Sequence, residues 1–330
     1  TVLATNSSTH AQLQPGGATS IVTTELRPAA GAVRAWSLQD PQMYTVRAEV
    51  MVGNASVDAV ETSAGFRSVH WGVDRFAVNG KAFDLRGFSH HNSIGGLGVA
   101  LPERINLFRV QASRALGSNI WRQSHNPYTP HLYSLLDALG VLCWDEARDY
   151  GAKYGGGAYV QAMGDMVKRD RNHPSIAVWS FCNEYECKQE DANYSGFAYR
   201  AAAYALDGSR PVTANGPAAP TALDIQGFSH SNNKTFEQFH KQSPAKPTVL
   251  SECCSCIDDG NQRPISRGIP ACISEQNSPG LLPYVAGSLG VWTLMDYFGE
   301  PHGTGSDSWP YVSSDFGQFD IAGFPKPHAF

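Results

Sequence analysis

One apolar segment bounded by polar residues constrains the fold of this chain more than any other stretch. Ser175-Ile-Ala-Val-Trp-Ser-Phe-Cys182 follows a polar turn at 171–174, and it has the length and β-branching of a buried parallel strand. It ends on Asn183-Glu184, two polar residues at the point where the strand should stop. A (β/α)₈ barrel keeps its chemistry on carboxylates at the C-terminal tips of such strands. The alternative is that Asn183 and Glu184 only cap the next helix.

From about residue 73 onwards, short apolar segments alternate with longer, partly helical ones, which is the pattern of βα units. Segments such as 103–116 and 130–139 are patterned as helices. We predict an α/β fold in which residues 73–330 form one closed (β/α)₈ TIM barrel. The last stretch, 325–330, predicts the start of a final helix that is truncated. The eight candidate strands are 84–88, 119–122, 141–146, 176–183, 212–214, 224–227, 248–252 and 290–296.

Residues 1–72 show strand patterns and no helical period. Residues 45–52 alternate apolar and polar side chains, 56–62 do so less cleanly, and Gly53-Asn54 between them is a turn. We predict an immunoglobulin-like β-sandwich that is too short to be complete. The first residues are neither a Met start nor a signal peptide, so we expect a processed chain or a piece of a longer one.

The composition excludes several classes of protein. With 42% hydrophobic residues, the 330-residue chain can bury a large core. A net charge of −5 gives no electrostatic reason to expect a nucleic acid or an anionic membrane as partner. No apolar run approaches the roughly 18 residues needed to cross a bilayer, which predicts a soluble chain with no membrane partner.

Sequons give a weak indication of the secretory route. Four of them begin at Asn6, Asn54, Asn193 and Asn233. The seven cysteines fit either an oxidising or a reducing compartment. We therefore expect an extracellular or a vacuolar/lysosomal location.

A second carboxylate, Glu252, ends the predicted seventh strand. Parallel strands of one barrel deliver their C-terminal residues to the same open mouth, so Glu184 and Glu252 should meet there. Two carboxyl groups that flank an anomeric carbon can cleave a glycosidic bond, one as acid and one as nucleophile or base. The alternative for Glu252 is a buried ion pair.

Two segments carry a family resemblance. Residues 169–184 have the pattern R-D-x-N-H-P-S-I-x-x-W-S-x-x-N-E, and residues 247–252 have the pattern P-x-x-x-S-E. Both resemble family two of the glycoside hydrolases, which includes β-galactosidases, β-glucuronidases and β-mannosidases. The likeness covers about residues 36–330. It implies a retaining mechanism with Glu184 as general acid/base and Glu252 as nucleophile.

The resemblance also implies a set of residues that bind the substrate, a carbohydrate. Asn183 is expected to donate a hydrogen bond to the sugar 2-hydroxyl, and Trp292 to stack on the sugar, although a Trp in an apolar strand is more often core. Arg122 is alternatively a structural salt-bridge partner. The carboxylates Asp145 and Glu146 either bind sugar hydroxyls or position Arg122. The implied substrate-binding residues are His91, Arg122, His125, Asp145, Glu146, Asn183, His230, Trp292 and Asp296.

Departures from the family pattern matter as much as the matches. Tyr150 and Ala152 stand where bacterial β-galactosidases have magnesium ligands, and His230 stands where the family has a Tyr that hydrogen-bonds the nucleophile. The eighth-strand segment W-T-x-x-D-Y-x-G-E, which includes Asp296, resembles a branch made up chiefly of β-galactosidases. We expect no metal site and no cofactor.

Cys253, Cys254 and Cys256 directly follow Glu252. A zinc site would need further ligands that the sequence does not supply, so disulfides, including one to Cys272, or simple packing are the preferred interpretation. Taken together, the sequence predicts a retaining exo-β-glycosidase acting on terminal β-D-galactosides. The alternatives are a β-glucuronidase or β-mannosidase of the same family, and an inactive barrel that binds glycans or is only structural.

Overall fold

Two small antiparallel sheets precede the barrel in the computed structural model, which describes residues 2–7, 24–149, 156–184, 196–216, 222–256, 268–298 and 313–329. The first sheet pairs β1 (Tyr44–Val52) with β2 (Ala55–Ala64). The second consists of β3 (Val69–Trp71), β4 (Phe76–Val78) and β5 (Lys81–Phe83). Its second turn is Asn79-Gly80, where both residues have positive φ, as a tight hairpin turn requires.

The hairpin of β1 and β2 is the part of the predicted sandwich that the described residues contain. Most of its side chains are exposed on both faces. The proposed division of the chain at residue 72 remains a prediction, and β3 and β4 lie on either side of that position while pairing with each other.

A closed barrel of eight parallel strands confirms the predicted TIM-barrel fold. The strands neighbour one another in chain order, and β13 closes the barrel by pairing with β6. They are β6 (Leu85–His90), β7 (Ile120–Gln123), β8 (Leu142–Asp149), β9 (Ile176–Asn183), β10 (Val212–Asn215), β11 (Gln226–Ser229), β12 (Thr248–Glu252) and β13 (Gly287–Val291). Helices in the described part of the chain are α1 (Glu103–Ala115), α2 (Pro130–Leu139), α3 (Gly156–Asp170), α4 (Phe197–Tyr204), α5 (Asn233–Gln242) and α6 (Gly268–Asn277).

The N-terminal end of the barrel is closed by aromatic residues from the preceding segment. Trp36 is fully buried in the same apolar cluster as Phe76 and Leu85, and its indole N–H donates to the carbonyl of Asp137 in α2. The indole of Trp71 donates to the carbonyl of Ala177 in β9. These contacts tie the N-terminal segment to the end of the barrel that carries stability in this fold, and leave the other end open.

The eighth strand begins and ends earlier than predicted. We expected residues 290–296, but β13 spans Gly287–Val291. Its glycines lower the strand signal in the sequence, yet they are needed because neighbouring backbones approach closely. A Cβ at Gly290 would lie 2.0 Å from the carbonyl oxygen of Ser251, and one at Gly287 would lie 2.5 Å from that of Leu85.

Residues that follow β13 pair with the C-terminal segment instead of extending the strand. Leu294 and Asp296 exchange backbone hydrogen bonds with Phe319, and Pro325 forms an antiparallel bridge to the same residue. Residues 325–329 therefore form a bridge and turns, where the sequence predicted the start of a helix.

Two features of the described residues bear on the cellular location of the protein. No helix in the described part of the chain is long and apolar enough to cross a membrane. Asn6, Asn54 and Asn233 of the four sequons are exposed, while Asn193 lies outside the described residues.

Close packing of β12 against β13 predicts that Gly290→Ala is strongly destabilising. The new methyl group would overlap the backbone of Ser251, so a strand must shift. We expect the free energy of unfolding to fall by about 3 kcal/mol, at the upper end of overpacking costs. Urea denaturation measures the change. Gly208→Ala is the matched control, because a Cβ there meets open space, and a loss as large as that of Gly290→Ala would contradict the explanation.

Candidate active site

Four neighbouring barrel strands and one opposite them bring polar side chains to the open end. Strands β7, β9 and β12 are buried along their whole length and end on polar residues, so polar side chains gather where the parallel strands stop. The residues are Ser89 of β6, Arg122 of β7, Glu146 of β8, Asn183 and Glu184 at the end of β9, and Glu252 at the end of β12.

Glu184 and Glu252 lie close together. One carboxylate oxygen of each, together with a ring nitrogen of His230, lies within 4.8 Å of the others. Glu252 is buried, whereas Glu184 is half-buried and accepts a hydrogen bond from Ser229 at 2.9 Å. Glu184 has a φ of 48°, in the left-handed region. This backbone turn directs its carboxyl group towards β11 and β12 and away from the direction of its own strand.

Arg122 connects the polar residues of the mouth. Its side chain is completely buried, and a buried guanidinium is stable only when its donors are satisfied. The donors reach three carboxyl or amide groups and a hydroxyl. The accepting atoms are Glu252 Oε2 (2.5 Å), Asn183 Oδ1 (3.0 Å), both carboxylate oxygens of Glu146 (3.3 Å each) and Ser89 Oγ (3.1 Å).

The charge of Arg122 holds two buried carboxyl groups in their ionised form. Burial raises the pKa of Glu252, but the positive charge of Arg122 and the hydrogen bond to His230 outweigh it and lower that pKa well below its usual range. Burial likewise opposes the ionisation of Glu146, and Arg122 with His125 lowers its pKa below the ordinary value. Both groups are therefore carboxylates at neutral pH.

Asn215, at the end of β10, belongs to the same network and was missed in the sequence. Its amide donates to Glu252 Oε2 at 2.9 Å and to Asn183 Oδ1 at 2.6 Å, and its own Oδ1 accepts from Ser251. The rule that identified Glu184, a polar residue directly after an apolar strand, also points to Asn215. The predicted strand simply stopped one residue short.

Aromatic rings form one wall next to this network. Trp292, which is 4% exposed, stacks on His125 with ring centroids 5.6 Å apart. His91 contacts Trp292 edge-on and lies 4.1 Å from the ring of Tyr297, a residue that the sequence analysis did not single out. Burial, together with the neighbouring His125, lowers the pKa of His91 to about 3, so the His91 ring is neutral at pH 7.

Two of the predicted substrate-binding residues point elsewhere. Asp145 accepts a hydrogen bond from Tyr133 of α2 at 2.9 Å, and burial together with the charge of Asp170 raises its pKa well above the ordinary value. Asp296 forms an ion pair with Lys326 at 2.7 Å. In the described part of the chain, neither residue forms a hydrogen bond or an ion pair with Glu184 or Glu252. Tyr150 and Ala152 lie outside the described residues.

By spacing alone, the donor atoms of Glu184, His230 and Glu252 could also hold a cation. Arg122, however, already supplies a full positive charge 2.5 Å from Glu252 Oε2. A second fixed cation on the same carboxylate would be repelled by the guanidinium. The arrangement instead suits a nucleophile and an acid/base that act on one atom between them.

Cysteines that follow Glu252 form disulfides. Cys253 bonds to its neighbour Cys254, and Cys256 bonds to Cys272 of α6, as one of the sequence interpretations expected. The backbone of Cys253 is further paired with Gly290 and Trp292. The segment directly after Glu252 is therefore tied both to α6 and to the end of β13.

Comparisons with known proteins point to one family. The family description "Glycosyl hydrolases family 2, TIM barrel domain" matches residues 71–265, more than half of the chain, and "Glycosyl hydrolases family 2" matches residues 2–67. A β-galactosidase of Bacteroides ovatus is 27% identical over 88% of this chain and 43% of its own length. The β-glucuronidase of Mus musculus is 31% identical over 87% of this chain and 49% of its own length.

Solved structures show the same fold. A family 2 glycosyl hydrolase from Bacteroides cellulosilyticus superposes with a TM-score of 0.75 at 26% identity, covering 91% of this chain and 40% of the other. A β-galacturonidase from Eisenbergiella tayi reaches a TM-score of 0.79 at 20% identity, covering 93% and 60%. The chain spans less than half the length of the two curated relatives it matches here.

The position of Arg122 predicts that Arg122→Ala damages both stability and activity. Two ionised carboxylates would remain buried without their counter-charge, which costs about 3–5 kcal/mol of unfolding free energy. Chemical denaturation of the variant, with hydrolysis measured in parallel, tests this. Arg114→Ala, on the exposed face of α1, is the matched control and should change stability by less than about 1 kcal/mol. Equal losses in the two variants would refute the role of the buried network.

Proposed function

Because the chain belongs to family 2 of the glycosyl hydrolases, we propose that it is an exo-acting β-glycosidase that retains the anomeric configuration. Glu184 is the general acid/base and Glu252 the nucleophile. One observation carries this proposal: carboxylate oxygens of the two residues lie within 4.8 Å of each other. Retaining glycosidases hold their carboxyl groups about 5–5.5 Å apart, whereas inverting enzymes leave about 6.5–9.5 Å to admit a water molecule.

In the first half of the reaction, an oxygen of Glu252 bonds to the anomeric carbon of the terminal sugar. The bond from that carbon to the leaving oxygen breaks, and its electron pair stays on the leaving oxygen, which takes the proton of Glu184. The low pKa of Glu252 keeps the nucleophile ionised over the working pH range. Half-buried Glu184 is accessible both to the leaving group and to the water molecule that later returns its proton.

In the second half, a water molecule occupies the place of the leaving group. The water oxygen bonds to the anomeric carbon while Glu184, now a carboxylate, accepts a proton from it. The ester bond breaks and its electron pair returns to Glu252. Two displacements at the same carbon restore the original configuration.

Asn183 is the proposed donor to the sugar 2-hydroxyl. Its Oδ1 accepts hydrogen bonds from Arg122 and Asn215, so its amide nitrogen is the group left to donate into the mouth. Such a hydrogen bond strengthens as charge develops in the transition state. Asn183 directly precedes Glu184, so both act on the same sugar.

Galactose is the proposed terminal sugar. A uronide would bring a further negative charge beside Glu252, Glu146 and Glu184. Among the described residues, Arg122 is already engaged with two of these carboxylates, and Lys326 with Asp296. The aromatic rings of His91, His125 and Trp292 form a wall that suits the face of a neutral sugar. The β-galactosidase of Bacteroides ovatus supports this choice, while the mouse β-glucuronidase keeps a β-glucuronide as the alternative.

Covalent trapping tests the two carboxyl roles. A 2-deoxy-2-fluoro-β-galactoside with a good leaving group should add one sugar to the peptide that contains Glu252, because the fluorine slows the second half of the reaction. Mass spectrometry of the digested protein detects the adduct. Glu252→Gln should remain unlabelled and lose at least about 10³-fold in turnover. Labelling of a different carboxylate would refute the assignment.

Glu184→Ala provides the complementary control. For substrates with a good leaving group, kcat/KM should stay within about tenfold of wild type, whereas for poor leaving groups it should fall by about 10²–10⁴-fold. Glu237→Gln, an exposed carboxyl of α5, should behave as wild type in both measurements.

A panel of aryl β-glycosides tests the sugar. We expect kcat/KM for the β-D-galactoside to exceed that for the β-D-glucuronide and the β-D-mannoside by about tenfold or more, since a missing polar partner costs about that much. The matching α-D-galactoside is the control and should not be hydrolysed. Faster hydrolysis of the β-D-glucuronide would identify a β-glucuronidase in place of a β-galactosidase. If no glycoside of the panel is hydrolysed, the result would favour the inactive barrel.

A further inference from the structure

His230 stands beside both carboxyl groups of the site, directly after β11. Its Nε2 lies 3.3 Å from Glu252 Oε1, and within 4.8 Å of a carboxylate oxygen of Glu184. The hydroxyl of Ser255 lies 3.4 Å from the same nitrogen. His230 is therefore a titratable group placed between the two residues that exchange charge during the reaction.

The two carboxylate oxygens of Glu252 have different hydrogen-bond partners. Oε2 receives the permanent charge of Arg122 and the amide of Asn215, whereas Oε1 faces His230. The imidazole is about one-third exposed and can exchange its proton with solvent, unlike the buried Arg122. One oxygen of the nucleophile is thus held by a fixed charge, and the other by a charge that varies with pH.

We propose that His230 is a positioning residue whose imidazolium donates to Oε1 of Glu252, and that its loss of a proton speeds formation of the glycosyl-enzyme and slows its breakdown. The inference rests on the proposed retaining mechanism. When Glu252 attacks, its negative charge is consumed, so the imidazolium loses a favourable partner. When the ester breaks, the electron pair returns to Glu252 and the imidazolium stabilises it.

Charged groups around His230 set the pH range of this effect. Burial and the charge of Arg122 lower the pKa of His230. The hydrogen bond to Glu252 and the negative charges of Glu252 and Glu184 have the larger effect, so the pKa lies above 6.5. Lys234 of α5 and Glu275 of α6 line the same depression with opposite charges. In the free enzyme the imidazolium is present below its raised pKa and is lost as pH increases through it.

The test is the pH profile of kcat/KM for the 2,4-dinitrophenyl β-glycoside of the preferred sugar. This leaving group needs no proton from Glu184, and Glu252 ionises far below the range, so the profile reports on His230, the titratable group in contact with Glu252. Wild type should increase about tenfold from pH 6 to pH 9, with a midpoint above 6.5, as expected for loss of one charge-assisted hydrogen bond. His230→Gln, which keeps an amide donor but cannot titrate, should be flat within twofold.

Matched variants separate this role from a structural one. His240→Gln on α5, where the ring stacks on Tyr284, should keep the wild-type profile. Because His230 has a φ of 43°, His230→Asn provides a second variant suited to the left-handed region. A profile in both His230 variants that rises as in wild type would overturn the inference while leaving the retaining mechanism intact. Absence of any glycosyl-enzyme in wild type would instead refute the proposed function.

Discussion

The buried charge of Arg122 is the interaction on which the arrangement of the mouth depends. One guanidinium faces two ionised carboxylates, Glu252 and Glu146, and orients the amide of Asn183. Arg122 keeps Glu252 ionised, so a carboxylate faces the open end. In the proposed mechanism, that charge would complement the positive charge that develops on an anomeric carbon in an oxocarbenium-like transition state. The same contacts that make the guanidinium stable in the interior therefore give the site its electrostatic character.

The barrel makes this concentration of charge tolerable because it separates stability from chemistry. At the N-terminal end, Trp36, Phe76 and Leu85 pack into a dry cluster, and the indoles of Trp36 and Trp71 donate to barrel carbonyls. At the C-terminal end, β7, β9, β10 and β12 end on polar residues. Because the strands are parallel, these residues meet at the same end of the barrel, while the opposite end is apolar.

The sequence predicts most of the fold, and most of the residues that the structure brings together at the mouth, for identifiable reasons. Seven strands were located closely. The predicted bounds of β9 and β12 match the structure, and these strands contain Ile, Val and Thr, whereas the glycines of β13 weakened the signal of the eighth strand. Glu184 and Glu252 were found because each ends a strand. Asp145 was grouped with Glu146, yet side chains alternate along β8, so Asp145 faces Tyr133 and the helices while Glu146 faces Arg122.

Contacts that depend on the three-dimensional closure of the barrel could not be found in this way. Asn215 can contact both Asn183 of β9 and Glu252 of β12 because the barrel is closed. Its strand, β10, lies next to β9, and β12 follows after β11. The two oxygens of Glu252 likewise become different only in the folded chain. Oε2 is held at 2.5 Å by Arg122 and at 2.9 Å by Asn215, whereas the contact of Oε1 with His230 is 3.3 Å. In the proposed mechanism, attack through Oε1 would break the longest of these three contacts and keep the other two, so the carboxylate would stay oriented while it reacts. The difference between a fixed and a titratable partner thus follows from which strand lies beside each oxygen.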